Sequence, residues 1–356
     1  MDKESLKNQS NYQTYQVLNS QQIKKGCFEI AINIQQSLLL MASRYEIQIA
    51  FFKFGKFKQF QVIKQEKQFS SILYFHIRKS NFITNDGVSS LKIWSSNLLA
   101  SIKFIQKLRG HKSSINCLLL NSEEDIVITG SNDYTIRSWK QKNEQWSSSQ
   151  IIFCHNSFVY GLSINKQGNK LISCSRDCTI VVNEFSNSNQ IWTVSQIIQV
   201  DKLGYIIGFI CDSVFVYQPI KMNLTQAAEL NSVGNDSLYI YQLDHEKKYI
   251  KKKQLLVFGD GELCESKFSF QYCSSNNLLL IKNGSQINLV KVIKNNKIDN
   301  ECLEDLYNFQ LNQVISFDPT YCKGKIYGTM SSDGQYIIIS NYSQKIIEIR
   351  EYKKQD

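Results

Sequence analysis

The feature that most narrows what this chain can fold into is an internal repeat. Gly110–Trp139, GHKSSINCLLLNSEEDIVITGSNDYTIRSW, aligns without a gap on Cys154–Asn183, CHNSFVYGLSINKQGNKLISCSRDCTIVVN, at an offset of 44 residues. His111 falls on His155, Ser131 on Ser175, Asp133 on Asp177, and Thr135-Ile136 on Thr179-Ile180. Each copy has the same order. An apolar run (INCLLL; VYGLSI) leads to a polar turn, and a second run (IVITGS; LISCS) leads to a tight turn carrying the Asp. A third run (YTIRSW; CTIVVN) and a fourth (QWSSSQIIF; QIWTVSQIIQV) complete the unit. Short runs rich in Ile, Val, Thr and aromatics, bounded by polar turns, are strands. Four antiparallel strands at this period make one propeller blade.

These residues resemble the WD-repeat family, whose signature is Gly-His before the first strand and Trp-Asp at the end of the third. Gly110-His111 and Trp139 match, with Lys140 in the place of the Asp; Cys154-His155 keeps the His, and Asn183 replaces the Trp. The resemblance implies a structural hydrogen-bond tetrad of His111, Ser131, Asp133 and Trp139, of which His155, Ser175 and Asp177 remain in the next blade. It also implies a platform that binds other proteins, often on the face of the second-to-third-strand turns. That face would present Asn132 and Arg176, beside the repeat Asp, and Lys112 in the His loop. Arg176 is the first choice, because Arg is enriched where interfaces bind most strongly.

The other units are degenerate. Gly26–Ile63 reads as blade 1. Ser71–Trp94, with a fourth strand near Ser101–Lys107, reads as blade 2, with Val88 in the Asp slot and the tetrad absent. Blades 5 and 6 follow Gly204 and Glu262, and Lys325–Lys353 is a three-stranded blade 7. Tyr12–Leu18 is expected to supply the missing fourth strand and close the ring, which leaves no long free sheet edge at the seam. The expected fold is therefore all-β, a seven-bladed propeller of four-stranded antiparallel blades. It spans residues 12–353 behind a flexible tail at 1–11, with its clearest repeats at 108–150 and 151–198. Seven units of about 40–45 residues fit within 356. A separate domain after Val200 is the competing arrangement.

Function classes narrow by what the chain carries. Ten cysteines stand mostly alone, and only Cys174 and Cys178 lie close, with no second pair to complete a zinc cage. No metal or other cofactor is expected. Of four histidines, two occupy the repeated structural position. No phosphate-binding glycine loop or nucleophile motif occurs, so an enzyme is not expected. The start, MDKESLKNQSNYQ, is polar, and no run reaches the roughly 18 apolar residues that span a bilayer. A cytoplasmic location is expected, with the nucleus as the alternative. The net charge of +10 is spread in short lysine clusters such as Lys251–Lys253 without a recognition motif, so nucleic acid is the disfavoured partner. The leading reading is a scaffold or adaptor, a monomeric propeller within a complex of other proteins. Two alternatives stand beside it. Thr135–Ile164 resembles propellers of cytosolic iron–sulfur cluster assembly, and the basic surface could hold RNA or acidic lipid. Trp146 and Trp192, in fourth strands, read as packing between blades, with exposed anchors as the alternative.

Overall fold

The computed structural model describes residues 14–64, 73–75, 81–95, 104–223, 231–234, 236–259, 268, 270–295 and 306–353. They form seven antiparallel sheets in a propeller. Four contiguous strands build each of blades 1 to 4: Glu29–Lys64, Leu73–Arg109, Ile115–Ile152 and Val159–Gln199. Blade 5 runs from Gly204 to Leu256 and carries an extra strand, Asn231–Gly234, paired to the end of its long second strand. Blade 6 is built from strands between Gln271 and Ser316. A short helix, Pro319–Cys322, leads into blade 7, and Asp318 caps it through Thr320 N–H. The tail at 1–11, His76, Cys264 and Cys302 lie outside the described residues.

The strands of blade 7 at Ile326–Met330, Tyr336–Asn341 and Ile346–Lys353 are completed by Thr14–Gln22, the N-terminal strand. The ring is thus closed by joining the two ends of the chain in one sheet, as expected, although the strand runs four residues past the expected Leu18. Tyr15 secures the seam. It is buried, its hydroxyl donates to Gly334 O, and its ring lies 5.1 Å from Tyr352.

First strands of successive blades pack against one another around the axis, and fourth strands lie outside. The burial pattern follows. Second strands such as Leu278–Asn283 and Tyr336–Asn341 are buried at every position, because neighbouring blades cover both faces. Fourth strands such as Gln145–Ile152 bury only some positions. Both fourth-strand tryptophans face inward: Trp146 joins the cluster between blades 2 and 3, and Trp192 the one between blades 3 and 4.

One inter-blade device is not visible in the aligned repeats. A glutamine on one fourth strand grips the backbone of an aromatic residue on the next. Gln150 Oε1 accepts from Trp192 N–H at 2.8 Å, and Gln150 Nε2 donates to Trp192 O at 2.8 Å. Gln106 does the same to Trp146, Gln196 to Tyr249, and Gln313 to Tyr15 across the seam. A side-chain amide matches a peptide group in both donor and acceptor, so it satisfies an edge the ladder leaves open.

Candidate protein-binding face

In blade 3 the loop before the first strand meets the turn between the second and third strands at a carboxylate. Asp133 accepts from His111 Nδ1–H at 2.8 Å, Lys112 N–H at 2.8 Å, Thr135 N–H at 3.0 Å and the Thr135 hydroxyl at 2.6 Å. Partial burial alone would raise the Asp133 pKa. The bonds from His111, Thr135 and Lys112 outweigh it and hold the carboxyl well below the usual range. On the other side of the ring, Nε2 lies 2.8 Å from the Thr129 hydroxyl, from which it accepts when the imidazole is the neutral Nδ1–H tautomer. Thr129 Oγ1 in turn accepts from Trp139 Nε1–H at 3.0 Å. The relay therefore runs Trp139–Thr129–His111–Asp133.

Ser131 does not sit in that relay. Its hydroxyl accepts from Asp133 N–H at 3.1 Å and donates to Ser113 O at 3.1 Å, shaping the turn. The place given to Ser131 beside His and Trp belongs to Thr129, two residues earlier on the same strand face. Blade 4 repeats the pattern. His155 contacts Asp177 at 3.0 Å and the Ser173 hydroxyl at 2.8 Å, while Ser175 accepts from Asp177 N–H at 3.2 Å. Blade 2 keeps half of the network. Trp94 Nε1–H donates to the Thr84 hydroxyl at 2.9 Å, and Asp86, two residues before Val88, caps the turn and pairs with Lys107 at 2.8 Å. The turn carboxylate there is displaced, and its cationic partner is a lysine of the fourth strand.

These locked turns carry the candidate residues. Arg176 N–H donates to Phe158 O, and its guanidinium lies 5.5 Å from the Phe158 ring centre. Phe158 stands 5.8 Å from Tyr134 and 6.3 Å from Tyr160, and Tyr160 packs edge-on to Tyr205 at 4.7 Å. Four aromatic rings and one arginine thus form a row across blades 3, 4 and 5. Tyr134 is exposed and holds a left-handed backbone at φ 72°, a conformation a large side chain adopts at a cost. Lys112 is exposed beside the row's blade 3 end. Asn132 is tied down: its Oδ1 accepts from Asn116 Nδ2 at 2.7 Å, and the same amide donates to Val159 O in blade 4. Asn116 therefore braces two blades and holds Asn132 in place, while Arg176 is the residue the geometry leaves on the aromatic surface. The aromatics were missed because they come from three blades; Phe158 and Tyr160, at alternate positions entering one strand, were the available signal.

Two copies of a Gly-or-Cys, His, Ser, Asp, Thr frame, each opening a four-stranded blade, coincide with a known repeat. Residues 102–140 and 146–182 match the family described as WD domain, G-beta repeat. The chain is a seven-bladed propeller that carries WD repeats at its third and fourth blades. Over 78 residues this propeller is 32% identical to Pre-mRNA-processing factor 19 of Bos taurus, which covers 22% of the chain and 15% of that protein. Striatin-4 of Homo sapiens is 24% identical over 134 residues, 33% of the chain and 18% of that protein. The CCR4-associated factor 4 homolog of Vanderwaltozyma polyspora is 37% identical over 57 residues, 16% of the chain and 8% of that protein. The WD-repeat propeller thus matches less than a fifth of the length of each of these relatives. Among the described residues no helix is long and apolar enough to cross a membrane, and no three His, Cys, Asp or Glu side chains are grouped to hold a metal ion.

Proposed function

We propose that this WD-repeat propeller is a non-catalytic scaffold that binds other proteins through the loop face of blades 3 to 5, in the cytoplasm or nucleus. The observation that supports it most is the row Tyr134, Phe158, Tyr160 and Tyr205 with Arg176 laid on it. Aromatic residues and Arg are the types enriched at the centre of protein interfaces. Tyr134 and Arg176 sit in turns fixed by the His–Asp networks and Tyr160 and Tyr205 on strands, so little ordering entropy is lost on binding. The WD-repeat match over residues 102–140 and 146–182 agrees with this reading, and no observation favours the iron–sulfur targeting alternative over it.

The test is capture of the tagged protein from its own cells, beside an Arg176→Glu variant. A defined set of proteins retained by the wild type and lost from the variant is the expected result. A set retained by both moves the site elsewhere on the propeller. An empty capture from the wild type ends the scaffold reading.

A further inference from the structure

The third and fourth strands of blade 1, Glu46–Lys53 and Lys56–Lys64, form a hairpin whose two faces differ sharply. Phe52 and Phe57 are paired across the hairpin and face inward, with Phe52 edge-on to Tyr336 of blade 7 at 5.4 Å. The other face is unlike a protein core or an ordinary solvated edge. Cross-strand pairs Phe51–Lys58 and Lys53–Lys56 put an exposed aromatic ring and three lysines side by side. Phe51, 49% exposed, stacks on Phe60 with ring centres 4.1 Å apart.

The tip is the least expected part. Phe54 and Gly55 form the two-residue turn with φ 51° and 69°. Both positions of such a turn want a left-handed backbone, which favours Asn and Gly and penalises a bulky residue. Phe54 takes the strained position while 77% exposed, with Lys53 Nζ 5.1 Å from its ring centre. Phe54 holds this backbone without burying its ring against the rest of the chain. The turn is also held firmly. A bulge at Leu18 in the fourth strand of blade 7 brings that side chain against Gly55, and Asn19 Nδ2 donates to Gly55 O at 3.3 Å.

Charge decides the occupant. Between Glu46 and Glu66 the chain carries Lys53, Lys56, Lys58 and Lys64 and no acidic residue. Among the described residues no ion pair engages Lys53, Lys56 or Lys58. We propose that this hairpin is a peripheral membrane contact: Phe54 enters the interface of an anionic bilayer while Lys53, Lys56 and Lys58 meet the lipid phosphates. Phenylalanine in the headgroup boundary and lysines above it is the arrangement by which a surface element holds to acidic lipid. A protruding ring on a convex turn suits insertion. It offers no flat platform for the successive base stacking that single-stranded RNA uses.

The experiment is flotation of the full chain with phosphatidylcholine vesicles, with and without phosphatidylserine. The wild type is expected to float only with phosphatidylserine, less so as salt rises. Phe54→Asn suits the turn better, so it should leave the thermal midpoint equal or higher while lowering vesicle partition at least about tenfold. K53E/K56E/K58E should abolish it. K251E/K252E/K253E makes the same charge change on the fourth strand of blade 5 and should retain most of it. Equal loss from the blade 5 variant would overturn the proposal in favour of net charge alone. No wild-type flotation overturns it outright, and so does loss of oligoribonucleotide binding in the hairpin variants without any vesicle binding.

Discussion

Blades 3 and 4 are two solutions to one packing problem. Both keep the His–Asp–Thr hub with almost the same distances. They differ where volume must be shared. In blade 3, Gly110 lies against Trp139, and a Cβ there would sit 2.9 Å from the indole and 2.9 Å from the Arg137 guanidinium. In blade 4 the indole is replaced by Asn183, and position 154 carries a cysteine side chain. A second exchange occurs between the first two strands. Cys117 pairs with Gly130 in blade 3, whereas Gly161 pairs with Cys174 in blade 4. In each case the Cβ missing from the glycine would meet the opposing sulfur, at 2.7 Å and 2.8 Å. The two copies conserve volume across a contact rather than residue type at a position, as close packing requires.

The largest expected asymmetry is at the third strand. Trp139→Ala removes a buried indole and leaves the Thr129 hydroxyl without its donor, which should cost about 3–5 kcal/mol. Asn183→Ala in blade 4 should cost far less. Denaturant unfolding of the two variants checks this, and equal losses would mean the blades are not packed as differently as their contacts indicate.

The turn carboxylates come next, and here the blades should behave alike. Asp133 and Asp177 have folded pKa values well below the ordinary carboxylate value near 4, despite partial burial that would raise them. A depressed folded pKa contributes stability that is present above the unfolded value and is lost as pH falls below it. Asp133→Asn and Asp177→Asn should therefore each lower stability at pH 7 by about 1.5–3 kcal/mol. The difference from wild type should shrink as pH falls below about 4. A marked inequality between the two variants would show that the tryptophan relay of blade 3 strengthens its turn.

That hub also shows what could and could not be read from the chain. His, Ser, Asp and Thr recur at a fixed offset, so blades 3 and 4 and the shared turn were legible. The closing strand was legible because blade 7 lacks a fourth strand and Tyr15 and Val17 alternate. The resemblance placed Ser131 beside the His and Trp; the hydroxyl that meets the His ring belongs to Thr129 in one copy and to Ser173 in the other. The identical pair Ser131 and Ser175 shapes the turn, whereas the contact with the His is chemistry shared by the unlike pair Thr129 and Ser173. Val88 hid the displaced Asp86 for the related reason that a fixed offset does not follow a carboxylate that moves two residues. The binding row and the glutamine grips are contacts between blades, which alignment of one blade on another does not display.

The glycine exchange should be the next largest effect. Gly130→Cys drives a sulfur against Cys117 and against Val159, whose Cγ1 would lie 2.6 Å from the new Cβ. Overpacking of this kind costs about 1–3 kcal/mol. Adding Cys117→Gly rebuilds the blade 4 arrangement in blade 3 and should recover part of the loss. The double-mutant cycle reads the coupling directly, and additive losses would break the claim that the pair trades volume.

The smallest effect should have the opposite sign. Asn183 is fully buried, and neither polar atom of its amide has a well-formed hydrogen bond. The Cys154 thiol lies beside it, but burial pushes that thiol up to about 11 and it is a weak donor. An amide desolvated without compensation is a standing cost, whereas an apolar group of similar shape carries none. Asn183→Leu should therefore raise stability by about 1 kcal/mol, while the His155–Asp177 turn beside it is unaffected. The matching change in blade 3, Trp139→Leu, should destabilise, because there the polar atom at this position is satisfied. If Asn183→Leu destabilises as well, the amide holds a partner such as a bound water, and blade 4 has replaced the tryptophan relay with a solvated one rather than dispensed with it.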